Sequence, residues 1–293
     1  MRVIFSKTGS DGNCTAIESD SGELLIVDCG IALKQVNRLA GYRALSAIAV
    51  LSTHVHQDHI SAHKEFSAAS VTLYAPDTEP LTGDSTAFQK RYYKTVEHGK
   101  TIALKGRVSG KTEFLAVPFR LVHCNAQDGS DCPCVGYLIS EPQRDGDKLL
   151  IATDTAFIGM EIKDAVEPTF QGHRFPPCNI YMLESNYVRL EDSFETLRGT
   201  QLEVEKRRVS SHMSAQTAST FLGRQDLSKC REVYLIHISH SATESDIIEM
   251  VQMFRTEIAN NPTAKETKKG IKIYANGKVY EAEQQRNARG RSA

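Results

Sequence analysis

The sequence lacks long apolar runs and lacks an excess of charge of either sign. The longest apolar stretches, such as Leu45–Leu51, have the length of a strand, whereas a membrane-spanning helix needs about 20 apolar residues. The 35 basic and 36 acidic residues leave a formal net charge of −1. We therefore expect no membrane contact and no general basic field that would attract nucleic acid. Any contact with a polyanion has to be local.

The sequence also lacks a signal-peptide pattern, an internal repeat and a linker rich in Pro, Gly or Ser. A chain of 293 residues buries enough apolar surface to fold without disulfides. We predict one domain over residues 1–283 and a flexible tail over 284–293. We expect the protein in a cytoplasm, which would be that of the host cell for a phage protein. Reduced thiols in a cytosol are the simplest interpretation of the odd number of cysteines, at positions 14, 29, 124, 132, 134, 178 and 230.

Short β-branched runs alternate with helical patterns along most of the chain, which predicts an α/β fold. The first half contains predicted strands at Val3–Phe5, Thr15–Glu18, Leu24–Asp28, Ala47–Leu51, Val71–Tyr74, Thr101–Leu104 and Phe114–Val122, and a helix at about Ala32–Ala40. The second half contains predicted strands at Val135–Ile139, Leu149–Ala152, Ile180–Leu183 and Val233–Ile236, and a helix at Ser214–Leu222. The polar stretch Asp77–Lys94 gives no clear pattern.

An amphipathic helix is predicted over Thr243–Ile258, with a capping box formed by Ser241 and Glu244. Its apolar face is predicted to consist of Ile247, Ile248, Val251, Phe254 and Ile258. The dipeptide Asn276-Gly277 between two short strand patterns predicts a hairpin with a type I′ turn, because both residues tolerate positive φ.

Histidine is concentrated directly after the predicted buried strand Ala47–Leu51. The segment Thr53–His59 contains four potential metal ligands within six residues, namely His54, His56, Asp58 and His59. Imidazole nitrogen and carboxylate oxygen suit Zn²⁺, Mn²⁺ or Fe²⁺. Ligands of α/β proteins often bind where loops leave the carboxyl ends of strands. The spacing and its position therefore predict a metal site rather than an ordinary solvated polar loop.

These residues give the chain a resemblance to the metallo-β-lactamase-fold hydrolases that extends from Ser10 to Ser239. The segments Gly9–Cys14 and Leu25–Gly30 look like the first strands of that family. His123, Asp154 and His237 follow later predicted strands, in the order in which the family places its remaining ligands. The resemblance implies an αββα sandwich, in which helices flank two mixed β-sheets.

The resemblance also implies a dinuclear site with two divalent metal ions, Zn²⁺ or, as the second choice, Mn²⁺, and a metal-bridging hydroxide as the nucleophile. Asp28 would support the histidine-rich loop from behind the ligands. Asp58 would serve both as a ligand and as a catalytic carboxylate. The implied ligands are His54, His56 and His123 for one ion, Asp58, His59 and His237 for the other, and Asp154 as the bridge between them.

An aspartate at position 154 points to the phosphodiesterase branches, because the antibiotic-cleaving members of the family generally have cysteine there. The segments Glu184–Asn186 and 211–214 resemble the YycJ/WalJ-like proteins, which are related to tRNA 3′-end processing enzymes and include DNA exonucleases. The usual patterns there are Glu-Ser-Asn-His-Asp and Gly-His-Leu-Ser. This chain has Tyr187-Val188 after Asn186 and Ser211 before His212.

His212 is the predicted general acid, with Glu184 as the carboxylate that orients its ring. The basic run 206–208 precedes His212 and is either a phosphate contact or a solvated face. The pair Cys132 and Cys134 lacks a partner pair, so free thiols are a simpler interpretation than a zinc site.

Three functions remain open at this point. The first is a nuclease, either a DNA exonuclease or an RNA-processing enzyme. The second is a cyclic-nucleotide phosphodiesterase of the phage anti-Pycsar type, which the net charge of −1 fits at least as well as it fits a polymer substrate. The third is a thioester or lactone hydrolase, or an inactive binding module, on the same fold. The expected partners are nucleic acid or a cyclic nucleotide, with a homodimer as a further candidate assembly.

Overall fold

Two mixed β-sheets with helices on their outer faces make up the computed structural model, which describes residues 1–76, 93–123, 132–159, 175–189, 209–267 and 270–281. This arrangement confirms the expected α/β sandwich. The predicted flexible tail and the basic run 206–208 lie outside the described residues.

The first sheet has six strands in sequential order. They are β1 (Arg2–Lys7), β2 (Cys14–Glu18), β3 (Leu24–Val27), β4 (Ala49–Leu51), β5 (Thr72–Pro76) and β6 (Tyr93–Val96). Strands β1 to β3 pair antiparallel, and β3 to β6 pair parallel. The parallel strands therefore end at a common edge.

The second sheet has eight strands in the order β14-β13-β12-β11-β10-β9-β8-β7. They are β7 (Ile102–Lys105), β8 (Thr112–Leu121), β9 (Cys134–Ser140), β10 (Lys148–Ala152), β11 (Ile180–Glu184), β12 (Glu232–Ile236), β13 (Lys272–Ala275) and β14 (Lys278–Glu281). The central strands β10 to β13 are parallel, and antiparallel strands flank them on both sides.

Helices cover the outer face of each sheet. The first sheet carries α1 (Leu33–Leu39), α2 (Gln57–Ile60) and α3 (His63–Ala68), and the second carries α4 (Ala215–Gly223) and α5 (Glu244–Asn260). Two 3₁₀ turns complete these elements, at Ala44–Ser46 and Ala264–Glu266. Within the described residues, no helix has the length and apolar character that crossing a membrane requires.

The core has three layers because successive strand residues point to opposite faces. In β3, Leu25 and Val27 pack between the two sheets, whereas Leu24 and Ile26 pack beneath the helices. Strand β11 alternates in the same way on the second sheet. Burial on both faces explains why these strands are continuous apolar runs in the sequence.

Two details of helix α5 differ from the prediction. Thr243, not Ser241, is the N-cap: its side chain accepts from the Asp246 N–H, and Asp246 binds back to the Thr243 N–H. Ile248 is 54% exposed, whereas Met250 is buried. Because the cap lies two residues later than predicted, its capping partner is Asp246 instead of Glu244. The buried face consists of Ile247 and the residues three, four, seven and eleven positions after it, which is the spacing of one helical face.

Some elements were not predicted at all. Helices α2 and α3 are short, and β6 overlaps the stretch that gave no clear pattern. The type I′ hairpin is confirmed, since Asn276 and Gly277 both have positive φ values, 46° and 75°.

Candidate metal centre

The strand ends of both sheets bring the predicted ligands to one place. The histidine-rich loop leaves β4, while the other three predicted ligands lie within two residues of the ends of β8, β10 and β12. Parallel strands place their carboxyl ends at one edge, which is why residues far apart in sequence meet there. Potential ligand atoms group within 4.8 Å of one another in the sets His54, His56 and His123; His54, His59 and Asp154; Asp58, His59 and His237; and Asp154, His212 and His237.

The first trio consists of three imidazoles whose ring nitrogens face one another. His54 Nε2 lies 3.0 Å from His56 Nδ1, and His123 Nε2 lies 3.3 Å from the same atom. Burial lowers the pKa of all three rings, and the nearby His59 lowers those of His54 and His56 further. Neutral imidazole is the form that binds a metal, so this trio suits a divalent cation.

The second trio adds a carboxylate to two imidazoles. His59 Nε2 lies 3.7 Å from Asp58 Oδ2, and His59 Nδ1 donates to Asp28 Oδ2 at 2.9 Å. That bond fixes the ring so that Nε2 faces the other candidate ligands, as a carboxylate behind a metal-binding histidine does. Among the described residues, the buried His237 Nε2 has no hydrogen-bond partner. A buried ring nitrogen without a partner is costly, and a cation at this position would satisfy it.

Asp154 lies between the two trios. Its Oδ2 is 3.2 Å from His59 Nε2, and its Oδ1 is 3.6 Å from His237 Nε2. Burial alone would raise the pKa of this carboxyl group, but His237 and His59 hold the pKa well below its ordinary value. The group is therefore an ionised carboxylate that lies between the two trios.

Three residues of the site have a strained backbone. Asp28, Asp154 and His237 have φ values of 59°, 52° and 53°, in the left-handed region that side chains with a Cβ rarely adopt. Such a conformation costs on the order of 1–3 kcal/mol per residue, and it persists where surrounding contacts impose it. Asp28 is held by the Thr53 N–H at 2.8 Å. The strained backbone therefore occurs at two candidate ligands, Asp154 and His237, and at Asp28, which orients a third.

Glu184, the last residue of β11, connects the cluster to His212. Its Oε1 accepts from His212 Nδ1 at 2.7 Å and from His237 Nδ1 at 2.8 Å, and its Oε2 accepts from the Thr155 N–H at 2.7 Å. Burial alone would lower the pKa of His212, but Glu184 raises it above its ordinary value. His212 is 21% exposed, so a ring whose orientation is fixed by Glu184 lies at the opening of the site.

Two residues at the site had no predicted role. Asn13 contacts His59 and Asp58 through its side-chain amide, and Thr8 accepts the backbone N–H of His237. Asn13 belongs to the segment that resembles the family's first strands, but nothing in its local sequence indicates a contact 46 residues away.

Other candidates lie outside the cluster. The ring of His63 contacts the Ile60 carbonyl at 2.7 Å, and Cys132 and Cys134 are buried thiols.

Comparison with known proteins supports this fold. Residues 8–102 match the family model of the metallo-beta-lactamase superfamily. YhfI from Bacillus subtilis, a metallo-beta-lactamase fold protein, has a TM-score of 0.56 at 16% identity, covering 95% of this chain and 97% of its own. Yeast PDE1 has a TM-score of 0.56 at 12% identity, covering 92% and 95%. A diphosphatase from the PhnP family has a TM-score of 0.51 at 16% identity, covering 92% and 84%.

No curated protein matches the sequence. The fold and the site nevertheless define the class: this is an α/β sandwich with His/Asp clusters that could hold divalent metal ions at its strand ends. Residues 8–102 carry the sequence pattern of the metallo-β-lactamase superfamily.

Proposed function

We propose that the protein is a two-metal phosphodiester hydrolase. The observation that carries the proposal is the pair of trios with Asp154 between them and the His212–Glu184 pair beside them. His54, His56 and His123 would hold one ion, Asp58, His59 and His237 the other, and Asp154 would contact both. Zn²⁺ is the first choice because imidazole dominates the donor set, and Mn²⁺ is the second.

The donor set fits such ions, because the first trio presents facing imidazole nitrogens and the second contains the unpaired His237 Nε2. When bound, two divalent ions would lower the pKa of a water in the site and offset negative charge on the attacked phosphate. The remaining work falls to the protein's own side chains.

Proton transfer is assigned to His212. Its Nδ1 is occupied by Glu184, so Nε2 is the atom that would donate a proton to the leaving alkoxide. Glu184 keeps the ring in one tautomer and favours the protonated form. Asp58 is partly exposed at the opening of the site, where its carboxylate would accept a proton from the attacking water.

We propose nucleic acid as the substrate and place the chain in the YycJ/WalJ-like branch, as a DNA exonuclease or an RNA-processing enzyme. The proposal is supported by Glu184–Asn186 and the segment around His212. The name of one protein with this fold, a diphosphatase, supports phosphate chemistry in general.

A cyclic nucleotide is the second candidate substrate. A net charge of −1 means that the bound cations would supply most of the attraction for phosphate. A single cyclic phosphodiester would need no long basic surface, whereas a polymer gains most of its affinity from repeated phosphate contacts.

A substrate panel tests both candidates on one metal-loaded sample: linear DNA, RNA and cyclic mononucleotides such as cCMP, cUMP and cAMP. The wild-type protein should cleave one of these classes, and His56→Ala should abolish cleavage. His63→Ala is the matched control, because His63 is also a buried histidine but lies outside the cluster. Failure of the metal-loaded protein to cleave every phosphodiester on the panel would overturn the proposal.

A further inference from the structure

A pocket of about 330 Å³ lies between helix α4 and the loop that follows β10, and it is called the α4 pocket below. Pockets that bind small molecules have volumes of about 300 to 1,000 Å³, so this one can hold a small ring system. None of the candidate metal ligands lines it, and neither do His212 and Glu184. The α4 pocket is therefore separate from the cluster.

Both walls of the α4 pocket begin at residues of the candidate metal centre. One wall is the loop that carries Phe157, three residues after Asp154. Three residues of extended chain span at most about 11 Å, so Phe157 lies close to the cluster. The other wall is α4, which begins three residues after His212 and places Thr217 of its first turn in the pocket. A substrate held at the cluster would therefore have the α4 pocket beside it.

The loop wall is held by Thr155. The Thr155 Oγ1 donates to the Phe157 carbonyl at 2.8 Å, and the Thr155 N–H donates to Glu184 Oε2 at 2.7 Å. The loop is thus tied to the same carboxylate that orients His212. The ring of Phe157 nevertheless stays 50% exposed. An exposed aromatic ring on a fixed backbone can serve as a surface on which a nucleobase stacks.

The inner side of the α4 pocket is apolar and well packed. Phe221 is buried, and its ring centroid lies 5.9 Å from that of Phe175, which in turn lies 5.0 Å from that of Phe119. Such edge-to-face contacts anchor the ring of Phe221 in the core. Ile158 adds a second buried apolar side chain. The pocket is therefore formed before any ligand binds.

The far end of α4 brings a positive charge to the pocket. Arg224 is exposed, and no carboxylate of the described residues lines the pocket or pairs with this side chain. Thr217, Thr220 and Arg224 follow one another along one face of the helix, over a rise of about 10 Å from the first to the last. Two hydroxyl groups and a guanidinium group therefore form a line of hydrogen-bond donors that leads away from His212.

We propose that the α4 pocket binds a nucleobase of a single-stranded nucleic acid. The base would stack on Phe157, while Arg224 would contact a backbone phosphate a few nucleotides from the phosphate at the metal centre. A stacked strand advances about 3.4 Å per nucleotide, so the rise from Thr217 to Arg224 covers about three nucleotides. Aromatic stacking combined with basic contacts is a general way of holding single strands. The inference rests on the proposed function and names single-stranded nucleic acid as the substrate class of that site.

The first test uses the absence of tryptophan from the chain. Phe157→Trp places one indole at the proposed stacking position of the Zn²⁺-loaded full chain, and a stopped-flow fluorimeter records binding of oligodeoxythymidylate before any cleavage. Stacking should quench the indole fluorescence, and the quenching should saturate with oligonucleotide concentration. The duplex with oligodeoxyadenylate should quench far less, because its bases are paired. Tyr42→Trp is the matched control, since Tyr42 is 79% exposed just after α1 on the other sheet, and it should show no saturable quenching.

The second test measures affinity for fluorescein-labelled oligodeoxythymidylate. Phe157→Ala should weaken binding at least about 5-fold, the lower end of the contribution of one stacked base. Arg224→Gln should make the plot of log affinity against log salt less steep by about 0.7, the value for one phosphate contact on a single strand. Arg38→Gln is the control, because Arg38 is also an exposed arginine near the C-terminal end of a helix but lies on α1. It should leave the slope unchanged.

No saturable quenching in Phe157→Trp, equal quenching by the single strand and the duplex, or an unchanged salt slope in Arg224→Gln would overturn the inference. Saturable quenching in a protein that cleaves no phosphodiester would overturn the proposed function and leave the α4 pocket as a binding site. Cleavage of cyclic mononucleotides without binding of the oligonucleotide would do the reverse.

Discussion

His212 and His237 share one carboxylate oxygen, Oε1 of Glu184, at 2.7 and 2.8 Å. One buried residue at the end of β11 thereby orients both the proposed proton donor and a proposed metal ligand. The distance between the two rings is set by this shared partner, with ring centroids 5.0 Å apart. The proposed proton transfer and the proposed metal binding would therefore be coupled through Glu184.

His212→Ala should slow cleavage of an unactivated phosphodiester about 10²- to 10⁴-fold, the usual contribution of a general acid. The loss should be much smaller with bis(p-nitrophenyl) phosphate, because p-nitrophenolate leaves without being protonated. The measurement is kcat for both substrates, together with the metal content, which should stay at the wild-type value. Equal slowing of both substrates would contradict the role of His212 in leaving-group protonation.

Asp154→Ala should lower the number of tightly bound ions below that of the wild-type protein, because both trios lose the carboxylate between them. Inductively coupled plasma mass spectrometry of dialysed protein measures this number. Asp145→Ala is the control, since that carboxylate is exposed and outside the cluster. Unchanged metal content in Asp154→Ala would argue against the bridging role.

Thr243→Ala should destabilise the fold by about 1 kcal/mol, the typical value of an N-cap, because its hydroxyl accepts the Asp246 N–H. Ser241→Ala should cost much less, since Ser241 lies two residues before the cap and bonds Ser239 instead. Urea unfolding of both variants measures the difference. A larger loss in Ser241→Ala would mean that the capping box is at the position favoured by the sequence pattern.

Most thiols should react slowly in the native protein. Burial raises the pKa of the thiols of Cys14, Cys29, Cys134 and Cys230, and raises that of Cys178 to about 12. The reactive thiolate is therefore scarce at pH 8, and its fraction grows as the pH rises towards these values. Ellman's reagent should label all seven cysteines only after denaturation. Rapid labelling of more than two thiols in the folded chain would contradict this burial.

Much of the fold could be predicted because burial on both faces leaves a strong local signal. Strands such as β3 and β11 are uninterrupted apolar runs that end at polar residues. Helix α2 is only four residues long, which is too short for a periodic pattern to develop. The cap of α5 was placed wrongly because Ser241 and Thr243 both begin acceptable capping sequences, and packing selects between them.

The candidate site was only partly accessible to sequence reasoning, for a related reason. The spacing within Thr53–His59 predicts a metal-binding loop without further information. His123, Asp154 and His237 could be predicted as ligands only from the order in which the family that the chain resembles places its ligands. The contacts of Asn13 and Thr8 depend on how the two sheets pack. The first contact spans 46 positions of the chain and the second spans 229, so neither leaves a pattern in the local sequence.

The most direct test of the account is the rate of phosphodiester cleavage by metal-stripped protein as Zn²⁺ or Mn²⁺ is added back, plotted against bound ions per chain. The account predicts almost no cleavage without metal and full activity when two ions are bound, on the substrate identified by the panel. Full activity in the metal-free protein, or no cleavage of any phosphodiester with two ions bound, would contradict it.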